Sequence, residues 1–214
     1  MYGLLGDVER GFSAASLALA KTEEFGQPRH AILAVLALLH LYGGDPEEAF
    51  ATMRHAREEP GPDTSGAYPE STLIFDLIDG EVALAGHDYE HVLRLAERVI
   101  TAMRAMGVRS LRANMLYLKG AALHGLGKTV EARQTLFEAR AEIGALGLNH
   151  SVFLLPVLRA LSEIEAQAGN ALEAQALRKQ AREVVEFIAD HAGSPELRAS
   201  FLGTPDVRAV TGNQ

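Results

Sequence analysis

The chain has 214 residues, 48% hydrophobic and 22% charged, with a formal net charge of −8 and no cysteine. That apolar share excludes a disordered chain, and the acidic balance argues against a nucleic-acid surface, which needs a basic face for phosphates. Without cysteine there is neither a disulfide framework nor thiolate chemistry, which fits a reducing cytoplasm. The longest apolar run, 31–41, is broken by His40 and falls short of the roughly 20 residues a membrane span requires. Asp7, Glu9 and Arg10 interrupt any signal peptide early.

In chain order, the first helix is expected over 7–25, ended by Gly26-Gln27-Pro28. A second, over 29–42, is apolar almost all round and so is expected between neighbours. Gly43-Gly44-Asp45-Pro46 reads as helix stop and restart, with Asp as N-cap and Pro at the first position. The helix it opens ends near residue 58. Residues 59–69, with three prolines and two glycines, form the longest loop and the expected flexible point. Helices then pair over 71–85 with 88–106, 109–126 with 129–146, and 150–168 with 171–192. Ser194-Pro195 and Thr204-Pro205 open two short closing helices, each with a hydroxyl cap before proline. No strand candidate emerges, so the expected class is all-α.

The helices recur on a fixed period. Gly6, Gly44, Gly86, Gly127 and Gly169 stand 38, 42, 41 and 42 residues apart, each before an amphipathic segment. Five residues on come Gly11, Ala49, His91, Ala132 and Ala174, and twelve on come Ala18, Ala56, Arg98, Ala139 and Ala181. Small residues at fixed offsets let two helices approach closely, and a fixed period marks a solenoid. The unit of Gly86 departs most, with His91 and Arg98 at the small positions and Asp79 where the others place Ala37, Gly120 and Ser162.

Ala132-Leu136-Ala139 and Ala49-Met53-Ala56 resemble the second helix of a tetratricopeptide (TPR) repeat: a small residue, a bulky one four later, a small one three after that. Arg178 departs from the bulky position. The resemblance implies a right-handed α-solenoid of antiparallel helix hairpins. The period of about 41, and the ending from Pro195 to Leu202 and then Pro205 to Arg208, resemble the repeat arrays of large bacterial signalling ATPases and transcriptional regulators. On this reading 1–193 holds the repeats, an unpaired first helix and four hairpins, and 194–214 holds capping helices and a tail. A first unit with only its second helix implies either a piece of something longer or a homodimer through the N-terminal end.

In TPR proteins the first helices of the hairpins line the concave face. Carried over by offset, the groove takes Leu38 and Tyr42, then Leu73 and Asp76, then Asn114, Tyr117 and His124, then Arg159, Glu163 and Gln167. This mixture suits a peptide laid in the groove, although polar residues on a helix face equally suit plain solvation.

Catalytic signals are weak. Gly125-Leu126-Gly127-Lys128-Thr129 resembles the tail of a phosphate-binding loop, but Ala122 stands where its first glycine belongs and a helix precedes it. His87 and His91 lie four apart without a third zinc ligand in view. The serines lack a glycine-flanked elbow, and carboxylate pairs such as Glu47-Glu48 are adjacent, so they cannot face one another across a substrate. The expectation is therefore not an enzyme, with no metal or cofactor. It is a cytoplasmic scaffold for a protein or peptide partner, serving as a regulatory arm; the alternative is a solenoid sensing a small-molecule effector. A closed apolar pocket around Tyr42, Leu73 and Tyr117 would favour the small molecule, and an open polar trough the peptide.

Overall fold

Helix starts are fixed by local capping. The Asp45 carboxylate accepts from the Glu48 amide (3.2 Å), Asp88 from His91 (3.1 Å), and the Ser194 hydroxyl from Leu197 (3.2 Å), each satisfying a donor the first turn leaves open. The structure, a computed structural model, describes residues 6–25, 29–59, 70–109 and 111–212. The segments 26–28 and 60–69, including nearly all of the expected flexible loop, lie outside the described residues.

The helices are α1 (Val8–Glu24), α2 (His30–Tyr42), α3 (Pro46–Glu58), α4 (Glu70–Ala85), α5 (Tyr89–Met106), α6 (Arg112–Gly125), α7 (Thr129–Ala145), α8 (Leu154–Gln167), α9 (Ala171–Asp190), α10 (Pro195–Leu202) and α11 (Pro205–Thr211). No strand occurs among the described residues, and none of their helices is long and apolar enough to cross a membrane. Four hairpins follow in serial order: α2 with α3, α4 with α5, α6 with α7, α8 with α9. The first helices α2, α4, α6 and α8 lie side by side as one layer, and each second helix also packs on the first helix of the next hairpin.

Small residues set how closely the first helices approach their neighbours. Ala37, Gly80, Gly120 and Ser162 are all buried. A Cβ on Gly80 would stand 2.7 Å from Leu118 Cδ1, and one on Gly120 would stand 2.6 Å from Leu136 Cγ. Gly80 replaces Asp79 as the small position of the second hairpin, and the reason is a one-residue shift. The left-handed turn position is held by Gly44 (φ +83°), Gly127 (φ +74°) and Gly169 (φ +81°), but in the second hairpin by His87 (φ +59°), not Gly86. Counted from His87, the small and bulky positions of α5 are Val92, Ala96 and Val99, all fully buried. The apparent departures His91 and Arg98 instead turn to α4, where they meet the buried carboxylates of Asp79 (2.9 Å) and Asp76 (2.9 Å). Arg57 of α3 also donates to Asp79, so one carboxylate ties three consecutive helices. On α9 the neighbouring Leu177, not Arg178, fills the bulky position.

Among the described residues two apolar clusters make up the core. One joins α2 and α3 to Ile78 and Val82 of α4; the larger runs from Leu73 and Ala83 of α4 to Phe201 and Val207. Buried Glu165 on α8 accepts from Asn170 (2.6 Å) and from Arg133 of the preceding hairpin, joining the third unit to the fourth.

The ends of the chain depart from a simple capped stack. Helix α1 packs on α2 through Gly11, where a Cβ would meet Leu39 at 2.5 Å. Its outer side leaves Leu17 65% exposed. Helices α10 and α11 dock on α9, and α11 also on α8. From there they reach the beginning of the array: a Cβ on Gly6 would lie 2.5 Å from the Ser200 carbonyl oxygen and 2.9 Å from Thr204 Cγ2.

Candidate functional site

Where the layer of first helices curves, α2, α4, α6 and α8 present side chains to a shared space that α10 and α11 cover. The result is a half-enclosed cavity of about 700 Å³, within the range of small-ligand pockets. Leu41 and Tyr42 enter from the end of α2, Glu81, Leu84 and Ala85 from α4, and Asn114, Tyr117 and Leu118 from α6. Pro156 and Arg159 enter from α8, and Phe201, Thr204, Asp206 and Val207 from the closing helices.

A polar seam crosses this mostly apolar lining. The Tyr42 hydroxyl donates to Glu81 Oε2 at 3.1 Å. Arg159 Nη1 donates to Asp206 Oδ1 at 2.6 Å, joining α8 to α11, and Arg159 also lies beside the Tyr117 hydroxyl. Burial pushes the Glu81 carboxyl up to about 7, with Asp206 adding to the rise and the Tyr42 hydrogen bond opposing it. Burial likewise raises Tyr117 to about 12, against the pull of Arg159. Tyr42 is raised by burial and then by Glu81, so its phenol stays protonated. For Arg159, burial works against the charge, but Asp206, Tyr117 and Glu163 outweigh it and hold the guanidinium above its ordinary value.

Of the residues expected in the groove, Tyr42, Asn114, Tyr117 and Arg159 meet in this cavity. Leu73 does not: it is buried in the main core. Asp76 is buried against α5 with Arg98. His124 buries its Nδ1, which has no hydrogen-bond partner among the described residues, Leu38 packs against the α2–α4 cluster, and Glu163 and Gln167 are exposed outside the lining.

Glu81, Ala85 and Asp206 escape a reading by glycine offsets. The shift at His87 accounts for the first two, since Glu81 lies six residues before His87 as Leu38 lies six before Gly44 and Glu163 six before Gly169. Ala85, two before His87, corresponds to Tyr42 and Gln167. A ruler laid on Gly80, the small residue seven before the turn, finds both. Asp206 belongs to the closing helices, which no repeat offset covers.

The other chemical candidates resolve into local structure. His87 Nδ1 pairs with the Tyr89 hydroxyl (2.8 Å) while His91 turns to Asp79, so the two imidazoles have different targets. Among the described residues no group of three His, Asp or Glu side chains is placed to hold a metal. Gly127 supplies the left-handed turn between α6 and α7.

No protein-family model matches the chain, and neither does any curated protein sequence. Among solved structures, the chain is similar to the crystal structure of a putative kinesin light chain from Podospora anserina, with nearly identical TPR-like repeats. The two share 18% identity at a TM-score of 0.56, over 90% of this chain and 92% of that one. The fold is a TPR-like helical-repeat solenoid.

Proposed function

We propose that the chain is a non-catalytic binding module: a protein-interaction scaffold that takes a peptide segment of a partner into the cavity on its inner face. In this reading residues 1–193 form the repeat array, 194–214 form the closing helices, and the whole serves as the cytoplasmic regulatory arm of a larger bacterial signalling or transcription-regulating protein. The observation that supports it best is the convergence of Tyr42, Asn114, Tyr117 and Arg159 from three different hairpins on one half-enclosed space. Asn114 offers an amide to a peptide backbone, and Arg159 offers a positioned guanidinium.

The test is selection from a displayed peptide library. Wild-type protein is expected to enrich a consensus, and the double variant Asn114→Ala, Arg159→Ala to enrich none while keeping its helical circular dichroism. A consensus unchanged in the double variant would remove the cavity from the interaction. A second reading, an effector-sensing solenoid, is favoured by the cover that α10 and α11 place over the groove, which leaves a volume suited to a small molecule. Thermal stabilisation by a metabolite, absent in the same double variant, would select it over the first.

A further inference from the structure

Among the described residues, three ionisable side chains line the cavity besides the tyrosines: Glu81, Asp206 and Arg159. Asp206 and Arg159 satisfy one another at 2.6 Å. Glu81 does not have such a partner. Its carboxylate accepts from the Tyr42 hydroxyl, a neutral donor, and among the described residues no Lys, Arg or His forms an ion pair with it. With Asp206 and Arg159 paired, Glu81 is the ionisable carboxyl of the lining that no cation meets among the described residues, and the same lining holds apolar Leu84, Phe201 and Val207. A carboxylate in apolar surroundings is costly unless a cation meets it, and it keeps acceptor sites that one hydroxyl does not fill.

We infer that the cavity is a site for a small organic cation, an ammonium on a compact apolar body, whose charge is set against Glu81. The body lies against Leu84, Phe201 and Val207, and Tyr42 and Tyr117 add the aromatic surface that favours cations. The ammonium fits equally as a free alkylamine or as a lysine or N-terminal amine of a partner's peptide. The inference rests on the reading that this cavity is the binding site, and it names the chemistry recognised there. Since burial holds the Glu81 carboxyl at about 7, ionised carboxylate becomes available as pH rises through neutrality, and cation binding strengthens in the same direction. Tyr42 on α2, Tyr117 on α6 and Asp206 on α11 act on it electrostatically, and Arg159 on α8, paired with Asp206, lines the same cavity.

Isothermal titration calorimetry with hexylamine, hexanol and hexanoate, on wild-type protein and Glu81→Gln, tests it. Hexylammonium is expected to bind wild type about tenfold more tightly than hexanol, the equivalent of about 1.4 kcal/mol. That preference is expected to vanish in Glu81→Gln and to weaken from pH about 8 to about 6. Two short lysine peptides, one with a free and one with an acetylated N-terminus, separate the sources: binding by either places the cation on a peptide, and binding by hexylamine alone places it on a free amine. Equal binding of hexylammonium and hexanol, or tightest binding of hexanoate, overturns the inference. The pH dependence in wild type decides the matter even if Glu81→Gln is poorly folded. If library selection finds a consensus that depends on Asn114 and Arg159 while no ammonium preference appears, the cation inference falls and the scaffold reading stands.

Discussion

His87 adopts the left-handed backbone conformation (φ +59°) that Gly44 (φ +83°) takes at the matching turn of the preceding hairpin. For a residue with a Cβ that conformation costs roughly 1–2 kcal/mol, where for glycine it does not. His87→Gly is therefore expected to stabilise the protein by up to about 1 kcal/mol, because the hydrogen bond it gives up to Tyr89 is exposed and is regained from water. The melting temperature should rise by about 2–4 °C. An unchanged or lower value would show that the Tyr89 contact offsets the backbone strain.

The same residue decides how much is legible in the sequence. Helix existence and serial hairpin order follow from apolar periodicity, turn glycines and capping residues, and the helix ends mostly agree within one or two residues; α6 and α8 start three and four residues late. The interior of the second unit is misaligned when glycine serves as the ruler, because Gly86 precedes the true turn position by one. A helix turns by about 100° per residue, so that slip brings core Leu73 and paired Asp76 into the expected groove and leaves the cavity-lining Glu81 and Ala85 out of it. The sequence marks 194–214 as closing helices, but that they also cover the groove is not legible, since this depends on how the array curves, which no local pattern encodes.

Gly120 and Gly144 should respond in opposite directions to alanine. A Cβ at Gly120 would lie 2.6 Å from Leu136 Cγ and 2.8 Å from its Cδ2, so one side of the α6–α7 contact must move. Overpacking of this kind costs about 1–3 kcal/mol. At Gly144 the nearest atom is Asn149 Oδ1 at 3.4 Å, and replacing a helical glycine gains up to about 1 kcal/mol. Urea midpoints of the two variants measure the contrast; similar shifts would contradict the close-approach account.

Glu81 should make stability fall as pH rises toward neutrality. An unfolded glutamate titrates at about 4.3, whereas the folded carboxyl is held at about 7. Between these values the folded chain keeps a proton the unfolded chain has released, so the contribution is full below the lower value and lost as pH rises through the upper. Glu81→Gln removes this dependence. Relative to wild type, it is expected to be more stable at pH about 8 than at pH about 5, read from denaturant midpoints; a gap that stays constant would place Glu81 in a wetter setting.

Asp206→Asn should loosen the closing helices without unfolding the array. The pair with Arg159 is 37% and 55% exposed on its two side chains, so its loss costs at most about 1 kcal/mol. Hydrogen exchange is expected to quicken across 195–211 while α5 to α7 stay protected, and added salt should reproduce part of the effect in wild type. Uniform acceleration along the chain would mean that the pair supports the whole fold.

Gly6 against Ser200 changes the mechanics of the molecule. In an open stack each unit feels only its immediate neighbours, and the two tips can swing independently. Here the tips touch, and the backbones come so close that even a methyl group on Gly6 would have to push Ser200 away. The closing helices are thus tied back to the turn that opens α1, and a guest that reshapes the joints between them must strain or release that contact.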